Sequence, residues 1–372
     1  MPNYSRFLWF LPMDTDVSHI GMWPQEGPAP TVDRLAAIVG AAERAGFEGL
    51  LVPTVYSNPL DDLTTAAAVL ARTSSAYLLL AIRPNQYHPA QAAKMLASLC
   101  FLFPGRIRIN VTSGSSDEDR WIRSADDRDD RGGRLLEWLA VFTAVLYGDR
   151  AVHHQGRFWW ADGTRLRPPL AGHLPVALSG SSAAAHTATA EYADEHLIFA
   201  APLETVRREV ARVRSIPAGD RDIAIIMRVH LVVRPSEDEA RAAAAEIVSR
   251  IDPRVLAVMN AESSDPRSQR SYQHTLAQVA DLYAGPNLWT GIGMARFGAA
   301  SALVGDPGQV ADRLTEFQEA GVDGFILSGY PKLAECDRFA ELMTPVLRER
   351  GLMLEAGQAP ALGAQGAMAR ST

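Results

Sequence analysis

The sequence predicts a (β/α)8 barrel, an α/β fold in which parallel strands alternate with helices. Short apolar runs alternate with segments of helical periodicity along most of the 372 residues. The runs are continuously apolar, which is typical of parallel strands covered on both faces. Eight such runs can be counted, the number that closes a barrel. A doubly wound sheet is the alternative, but it usually opens with a Gly-rich nucleotide loop, whereas Pro12–Asp16 follows the first run here.

The first two predicted strands enclose a well-marked helix. The first strand, Phe7–Leu11, is an apolar run that ends at Pro12, where a backbone donor is lost. Thr31 is a suitable N-cap, and the apolar residues after it recur at helical spacing as far as Gly46, a residue type favoured just beyond a helix. The second strand, Gly49–Pro53, follows at once.

The remaining elements repeat this alternation of apolar run and periodic segment. The further predicted strands are Tyr77–Ile82, Ile107–Thr112, Pro175–Ser179, His196–Ala200, Ile223–Val233 and Phe325–Ser328. The further predicted helices are Ala90–Phe103, Leu135–Leu146, Ala183–Tyr192, Glu204–Ser215, Asp238–Ile251 and Pro307–Ala320. Each strand but the last is therefore expected to be followed by a helix.

Residues 1–350 are interpreted as one barrel domain with an insertion and a tail. Residues 252–306 do not fit the repeat, and insertions of that length are commonly functional. Because the insertion follows the seventh strand, we expect it to lie at the C-terminal face of the barrel and to act as a lid. Residues 351–372 are rich in Ala, Gly and Gln, and we expect a disordered tail.

The composition excludes several classes of protein. The chain is 47% hydrophobic, which is too apolar for a disordered protein, and its net charge of −7 with no basic block gives no indication of nucleic-acid binding. Two cysteines, Cys100 and Cys336, cannot form a disulfide framework or a Cys-based zinc site, and we expect no metal. No apolar run reaches the ~20 residues of a membrane helix. The N-terminus lacks the apolar core of a signal peptide, so a cytoplasmic protein with no membrane contact is expected.

The ends of the strands carry the residues of chemical interest, because barrel enzymes place their chemistry there. Arg228 and His230 lie two apart on the seventh predicted strand and share a face, which we expect to point into the barrel. A buried arginine needs either a carboxylate partner or an anionic ligand, and the sequence leaves both open. Arg296 lies on the insertion, where it is either a site residue or an ordinary solvated arginine.

Two segments that follow strands have the composition of anion-binding loops. Gly180, Ser181 and Ser182 stand between the fifth strand and the next helix, where backbone N–H groups and small hydroxyls can bind phosphate. The alternative is that a serine only caps the helix. Thr112 and Ser113 follow the fourth strand and have the same ambiguity, with an ordinary turn as the alternative.

The short segments at these positions together resemble the bacterial luciferase-like flavin monooxygenases, and among them the alkanesulfonate monooxygenases. Each match is short, but they occur in order across residues 7–350, which makes the resemblance specific. The matching segments are Leu8–Pro12, Leu51–Thr54, Ala81–Pro84, Asn110–Gly114, Gly180–Ser182, Arg228–His230, Pro286–Gly291, Ala302–Asp306 and Leu327–Pro331.

The resemblance implies a (β/α)8 barrel enzyme that uses reduced FMN and O2. In this family a separate NAD(P)H-dependent flavin reductase delivers the reduced FMN, and members are commonly dimers or tetramers. In the sulfonate enzymes the C–S bond is broken, which yields sulfite and an aldehyde. We therefore expect a two-component monooxygenase that oxidises an organosulfonate or a similar small acidic substrate.

The resemblance also assigns roles to individual residues. Arg228 and His230 match the Arg-x-His pair of the sulfonate enzymes, Arg296 matches their lid arginine, and Tyr330 matches the tyrosine of their S-G-Y-P motif. These four, with Asn58, form the expected catalytic set. The expected cofactor-binding set comprises Thr112, Ser113, Gly180, Ser181, Ser182 and Phe199, of which Ser181 and Ser182 match the FMN-phosphate loop.

Four positions depart from the sulfonate enzymes. Asn58 stands where they carry a cysteine, and Asp14 stands where they carry a histidine. Phe199 replaces their strand-six tryptophan, and Gly132 replaces a tyrosine near the flavin phosphate. The arginines are retained while residues near the flavin change, so flavin monooxygenation is better supported than any one substrate.

Three alternatives remain open. Relatives in the same superfamily use a deazaflavin and transfer hydride without O2, although the Arg-x-His and S-G-Y-P motifs argue against this. A monooxygenase that acts on a biosynthetic intermediate would fit the same motifs. A non-enzymatic binding protein on a barrel scaffold is the third alternative, because fold does not dictate function.

Overall fold

The computed structural model describes residues 4–112, 131–262, 276–277, 281–296 and 298–354. Ser113, from the expected cofactor-binding set, lies outside the described residues, as do residues 355–372 of the expected tail.

Thirteen strands and eleven α-helices are found in the described residues. The strands are β1 Arg6–Phe10, β2 Gly49–Val52, β3 Tyr77–Ile82, β4 Ile107–Val111, β5 Val152–Gln155, β6 Trp160–Thr164, β7 Val176–Ser179, β8 Glu195–Phe199, β9 Ala224–Val233, β10 Tyr283–Gly285, β11 Leu288–Trp289, β12 Ala302–Gly305 and β13 Gly324–Ser328. The helices are α1 Val32–Ala45, α2 Asp62–Leu70, α3 Pro89–Leu102, α4 Arg131–Tyr147, α5 Ala183–Tyr192, α6 Leu203–Arg214, α7 Glu237–Val248, α8 Pro253–Glu262, α9 Pro307–Glu319, α10 Lys332–Leu342 and α11 Thr344–Glu349.

Eight of the strands follow one another in the order of a closed parallel barrel, which confirms the predicted fold class. The order is β1, β2, β3, β4, β7, β8, β9 and β13, with β13 pairing back to β1. All eight predicted runs are barrel strands, and their bounds differ from the prediction by at most one residue. The expectation that no helix follows the last strand is wrong, because α10 and α11 lie there.

Helix ends are fixed by the capping residues that the sequence displays. The Thr31 hydroxyl accepts a hydrogen bond from Arg34 N at the start of α1, and Gly46 ends that helix with φ +90°, a left-handed conformation that favours glycine. A capping box starts α9, in which the Asp306 carboxylate accepts from Gln309 N while the Gln309 side chain accepts from Asp306 N.

Two compact units can be distinguished in the chain. The first unit comprises the described residues up to Leu51, Leu197–Ser215 and the described residues from Ala224 onward. The second unit comprises the described residues of Val52–His196 together with Ile216–Ile223.

Each unit has its own aromatic packing. In the first unit, the ring of Phe47 lies 5.1 Å from that of Trp9 and 4.7 Å from that of Phe339, as measured between centroids. In the second unit, Trp138 stacks on Phe142 at 4.7 Å, and its indole N–H donates to the carbonyl oxygen of Tyr87. Such offset and tilted ring pairs are favourable beyond the area that they bury.

The described residues of the insertion at 252–306 form helices and strands in the first unit. The insertion begins with α8, and its last strand, β12, pairs in parallel with β9, so that Ala302 stands opposite His230. Strands β10 and β11 extend this edge in antiparallel fashion, and a short 3₁₀ helix at Gly291–Met294 leads to Arg296. The expected lid segment is thus anchored on the strand that carries the Arg-x-His pair.

The described end of the chain packs on the first unit. Leu352 and Met353 are buried, and the Leu352 carbonyl accepts a hydrogen bond from Ser5 N. In the part of the chain that the structure describes, no helix is long and apolar enough to cross a membrane.

Candidate active site

Two neighbouring strands of the first unit bring the site residues together. In the parallel pair β9–β13, Arg228 stands opposite Ile326 and His230 stands opposite Ser328. Arg228 and His230 are separated by one residue and so point to the same face. Both are buried, as the sequence predicts.

Arg228 is held by three hydrogen bonds. Its Nη1 donates to the carbonyl oxygens of Val229 at 2.8 Å and Ile326 at 3.1 Å, and its Nη2 donates to the Ser328 hydroxyl at 2.7 Å. No carboxylate of the described residues forms an ion pair with it, so the structural ion pair that the sequence left open is not found there. Burial, and then the positive charge of Arg296, lower the pKa of the Arg228 guanidinium to about 9.

His230 is neutral and its tautomer is set by its partners. Its Nε2 lies 3.1 Å from the carbonyl oxygen of Ala299, which can only accept, so Nε2 carries the proton. Its Nδ1 therefore accepts from the Ser328 hydroxyl at 2.8 Å. Burial, and then the positive charge of Arg228, hold the pKa of His230 well below its ordinary value. The result is a chain of hydrogen bonds from Arg228 through Ser328 to His230.

The insertion and the segment after β13 meet at Arg296 and Tyr330. Arg296 Nη1 donates to the Tyr330 hydroxyl oxygen at 2.5 Å, and the Tyr330 ring stacks on His230 with centroids 5.4 Å apart. The guanidinium carbons of Arg228 and Arg296 lie 4.9 Å and 5.2 Å from the ring centroid of Phe10. Arg296 is therefore not the freely solvated arginine that the sequence left open.

The charges around Tyr330 favour its ionised form. Burial raises the pKa of Tyr330, but the nearby cations, first Arg296 and then Lys332, outweigh it and hold that pKa below its ordinary value. Burial would lower the pKa of Arg296, but Tyr330 and the more distant Asp14 outweigh it and raise that pKa. Tyr330 and Arg296 thus stabilise each other's charged forms.

Lys332 is a third cation in this cluster. Its side chain is 3% exposed, and its Nζ lies 3.7 Å from the centroid of the Tyr330 ring. Burial, and then the positive charge of Arg296, lower its pKa, while Tyr330, Asp16 and Asp14 act in the opposite sense. We refer below to Arg228, Arg296, Lys332 and the Tyr330 between them as the cation cluster.

The second unit carries the expected phosphate loop. Gly180 has φ +111°, a conformation that favours glycine, and Ser181 and Ser182 are exposed. The Ser182 hydroxyl accepts from Ala185 N at 3.1 Å and caps α5, so the capping role that the sequence left open is present. An exposed helix start behind a glycine also offers free N–H groups to an anion.

The other expected residues lie on different elements. Thr112 directly follows β4, and its N–H donates to the Ile82 carbonyl oxygen. Asn58 lies in the loop after β2, where its N–H donates to the Val55 carbonyl oxygen. Phe199 belongs to the first unit, at the end of β8, and is half-buried.

Gly132, which replaces a tyrosine of the sulfonate enzymes, has a packing reason to be small. A Cβ at this position would lie 2.4 Å from the Cβ of Ala184, so α4 and α5 approach closely here. No larger side chain fits without moving one of the two helices.

A second cluster of titratable groups lies in the second unit. The Tyr87 hydroxyl is 2.7 Å from Asp61 Oδ2 and 2.8 Å from Asp62 Oδ1. One hydroxyl proton cannot be donated to both carboxylates, so one carboxyl group must carry a proton and donate to the phenol oxygen. Burial, and then the charge of Asp61, raise the pKa of Asp62 to about 7, which makes Asp62 the protonated partner.

Three members of the site escape prediction from the sequence. Ser328 was visible only as part of the motif after the last strand, and Phe10 only as an apolar residue of the first strand. Lys332 could have been found, because it directly follows that motif and is one of only two lysines in the chain. Among the described residues, no group of three or more His, Cys, Asp and Glu could hold a metal ion.

Comparison with known proteins bears on the family and the fold. The model of the family described as luciferase-like monooxygenase matches residues 6–324. The EDTA monooxygenase EmoA from Chelativorans sp. BNC1 is similar in structure, with a TM-score of 0.76, 18% identity and coverage of 96% of this chain and 97% of that chain.

Two further similar structures differ in their cofactors. The oxygenating constituent of 3,6-diketocamphane monooxygenase from Pseudomonas putida, in complex with FMN, has a TM-score of 0.68, 14% identity and coverage of 95% of this chain and 99% of that chain. An F420-dependent secondary alcohol dehydrogenase has a TM-score of 0.64, 17% identity and coverage of 92% and 99%, respectively. At these identities the likeness establishes the barrel fold.

Proposed function

The chain belongs to the luciferase-like monooxygenase family, and from that premise we propose that it is the oxygenating half of a two-component enzyme. A separate NAD(P)H-dependent flavin reductase supplies reduced FMN, and the barrel uses O2 to oxidise an organosulfonate or a similar small acidic substrate. We propose a homodimer or homotetramer as the working form.

The observation on which the proposal rests is a pair of arginines without carboxylate partners, of which Arg228 is buried and Arg296 is partly buried. Both guanidinium groups lie close to the ring of Phe10, and neither forms an ion pair with a carboxylate of the described residues. Burying a cation without a counterion costs free energy that an anionic ligand recovers. Guanidinium groups can also hold a sulfonate by two charge-assisted hydrogen bonds.

The residues present also fit a bound FMN. The left-handed Gly180 and the exposed start of α5 offer N–H groups and hydroxyls to the FMN phosphate. Reduced FMN, when bound, supplies the electrons with which O2 is activated. The small Gly132 leaves the close approach of α4 to α5 undisturbed. Arg131 or Arg134 beside it supplies the phosphate contact that a tyrosine makes in the sulfonate enzymes.

The other residues of the site have distinct roles in the proposed reaction. Arg228 is fixed by three hydrogen bonds and acts as an immobile positive charge. Tyr330 is the side chain best suited to take or give a proton, because cations lower its pKa. His230 has both ring nitrogens engaged and holds Ser328 and Tyr330 in position. The insertion brings Arg296 and excludes water when the substrate is bound.

Binding of the cofactor tests the proposal first. Under anaerobic conditions, reduced FMN is expected to quench tryptophan fluorescence at micromolar protein, and reduced deazaflavin is not. Preferential binding of the deazaflavin would instead favour a hydride-transferring oxidoreductase. This is the alternative suggested by the similar structure of an F420-dependent alcohol dehydrogenase. If neither cofactor binds, the proposed function is wrong.

Turnover tests the role of the arginines. With a reductase, FMN and a panel of sulfonates, release of sulfite is expected, and Arg228→Ala is expected to lower the rate by about 10²–10³-fold, as loss of a charge-stabilising donor does elsewhere. Arg254→Ala is the matched control, because Arg254 is an exposed arginine paired with Asp252. Equal rates in the Arg228 variant and the control would exclude the assigned role.

A further inference from the structure

Lysine is used sparingly in this chain, and one of its lysines is buried. The sequence has 36 basic residues, of which only Lys94 and Lys332 are lysines. Lys94 is exposed on α3, where lysine is ordinary. Lys332 is 3% exposed at the start of α10, and lysine is almost never buried to that degree without a partner.

The ammonium group of Lys332 has no protein acceptor in the part of the chain that the structure describes. Its Nζ lies 3.7 Å from the centroid of the Tyr330 ring, and it makes no hydrogen bond or ion pair with any described residue. Asp16, the nearest candidate, is occupied. Its Oδ1 accepts from the backbone N of Lys332 at 2.6 Å, and its Oδ2 accepts from Arg34 Nη2 at 2.8 Å.

Among the described residues, the charges of the cation cluster do not balance. Arg228, Arg296 and Lys332 are positive. Beside the occupied Asp16, Asp14 is the one further described carboxylate that acts on Arg296 and Lys332, and it forms no hydrogen bond to either. With Tyr330 neutral, two positive charges remain in excess. An ionised Tyr330 would be hydrogen-bonded to Arg296 and would still leave Lys332 with no acceptor.

We infer that Lys332 binds a second acidic group of the substrate, so that the substrate is a small dianion, such as a sulfonate that also carries a carboxylate. This inference rests on the proposed function and narrows it. The arginines present forked donors that match a sulfonate, whereas the ammonium is a compact point charge suited to the second group. A substrate with one negative charge leaves one cation of the cluster unpaired.

Because the chain has only two lysines, the NMR signal of Lys332 can be followed directly, without turnover. Protein labelled with ¹³C at the lysine ε-carbon has only two lysine signals, and Lys332→Arg assigns them. Titration with sulfoacetate is expected to shift the Lys332 signal and to raise the pH at which it titrates, because a bound anion favours the charged amine. The Lys94 signal is the internal control and is expected not to move. Ethanesulfonate, with one charge, is expected to have a much smaller effect.

The affinities of the wild-type protein and of lysine variants for the two anions provide a second test. Wild-type protein with reduced FMN is expected to bind sulfoacetate about tenfold or more tightly than ethanesulfonate. Lys332→Met is expected to abolish that preference, because it weakens binding of sulfoacetate more than binding of ethanesulfonate. Lys332→Arg is expected to retain part of the preference, and Lys94→Met to retain all of it.

Specific outcomes would overturn the inference. The inference is wrong if the wild-type protein binds the two anions with equal affinity, or if it binds neither. It is also wrong if Lys332→Met loses affinity for both anions equally, because Lys332 would then serve the reacting centre rather than a second acidic group. Binding of reduced FMN is measured separately in each variant. Its failure would refute the proposed function, whereas its success with no preference for the dianion would refute only the inference about Lys332.

Discussion

The hydroxyl of Ser328 links the two residues that the sequence singled out, and its removal is a sharp test of the site. It accepts from Arg228 Nη2 at 2.7 Å and donates to His230 Nδ1 at 2.8 Å, and all three side chains are buried. Ser328→Ala leaves a charged donor and a neutral acceptor without partners.

The expected cost follows from those two bonds. A hydrogen bond to a charged group contributes about 1.5–3 kcal/mol and a neutral one about 1 kcal/mol, so the variant is expected to lose roughly 3 kcal/mol of unfolding free energy. For 372 residues the entropy of unfolding is roughly 0.8 kcal/mol per kelvin, so the melting temperature is expected to fall by about 4 °C.

Ser301→Ala is the matched control for this change. Ser301 is also a fully buried serine of the first unit, but its hydroxyl makes no hydrogen bond among the described residues. Its removal is expected to change the free energy of unfolding by less than about 0.5 kcal/mol. Calorimetry or urea titration of both variants gives the comparison. Equal losses in the two serine variants would show that the chain from Arg228 to His230 does not stabilise the fold.

Two further changes test the second unit. Asp62 has a pKa of about 7 in the folded protein against 3.8 for the free side chain, so the folded state binds its proton more tightly, and stability is expected to fall as pH rises from about 4 to about 7. Asp62→Asn, which resembles the protonated acid, is expected to remove that pH dependence, which is on the order of 4 kcal/mol, in urea titrations across this range. A pH dependence unchanged from wild type would contradict the assignment. Gly132→Ala is expected to cost about 1–3 kcal/mol through its contact with Ala184, and the added change Ala184→Gly is expected to restore most of the loss. A Gly132→Ala variant as stable as wild type would show that α4 and α5 can separate without cost.

The barrel strands could be predicted because most of them contain a run of consecutive apolar residues. A parallel strand covered on both faces is continuously apolar, so β3, Tyr77–Ile82, stands out from its surroundings. Strands β5 and β6 were missed because they form a half-exposed hairpin in which neither strand contains a continuous apolar run. Helix α2 was missed because its nine residues are mostly Ala, Thr and Leu, with little difference between its faces.

The candidate site was predictable to a more limited extent. The alternation of Arg228 and His230 with apolar residues indicated an inward-facing pair, and both are buried as expected. The sequence could not predict whether Arg228 contacts a carboxylate or binds an anionic ligand. The residues that surround its guanidinium, Ser328 and Arg296, are about a hundred and about seventy positions away in the chain.

The order of strands and helices, the helix caps and the inward direction of the Arg-x-His pair are contained in the amino-acid sequence, because each depends on residues within one or two turns of the chain. The tautomer of His230, the lowered pKa of Tyr330 and the unpaired ammonium of Lys332 follow only from the folded chain. Each of these properties depends on burial and on charges from several elements, and electrostatic interactions of that kind arise where distant segments pack together away from water.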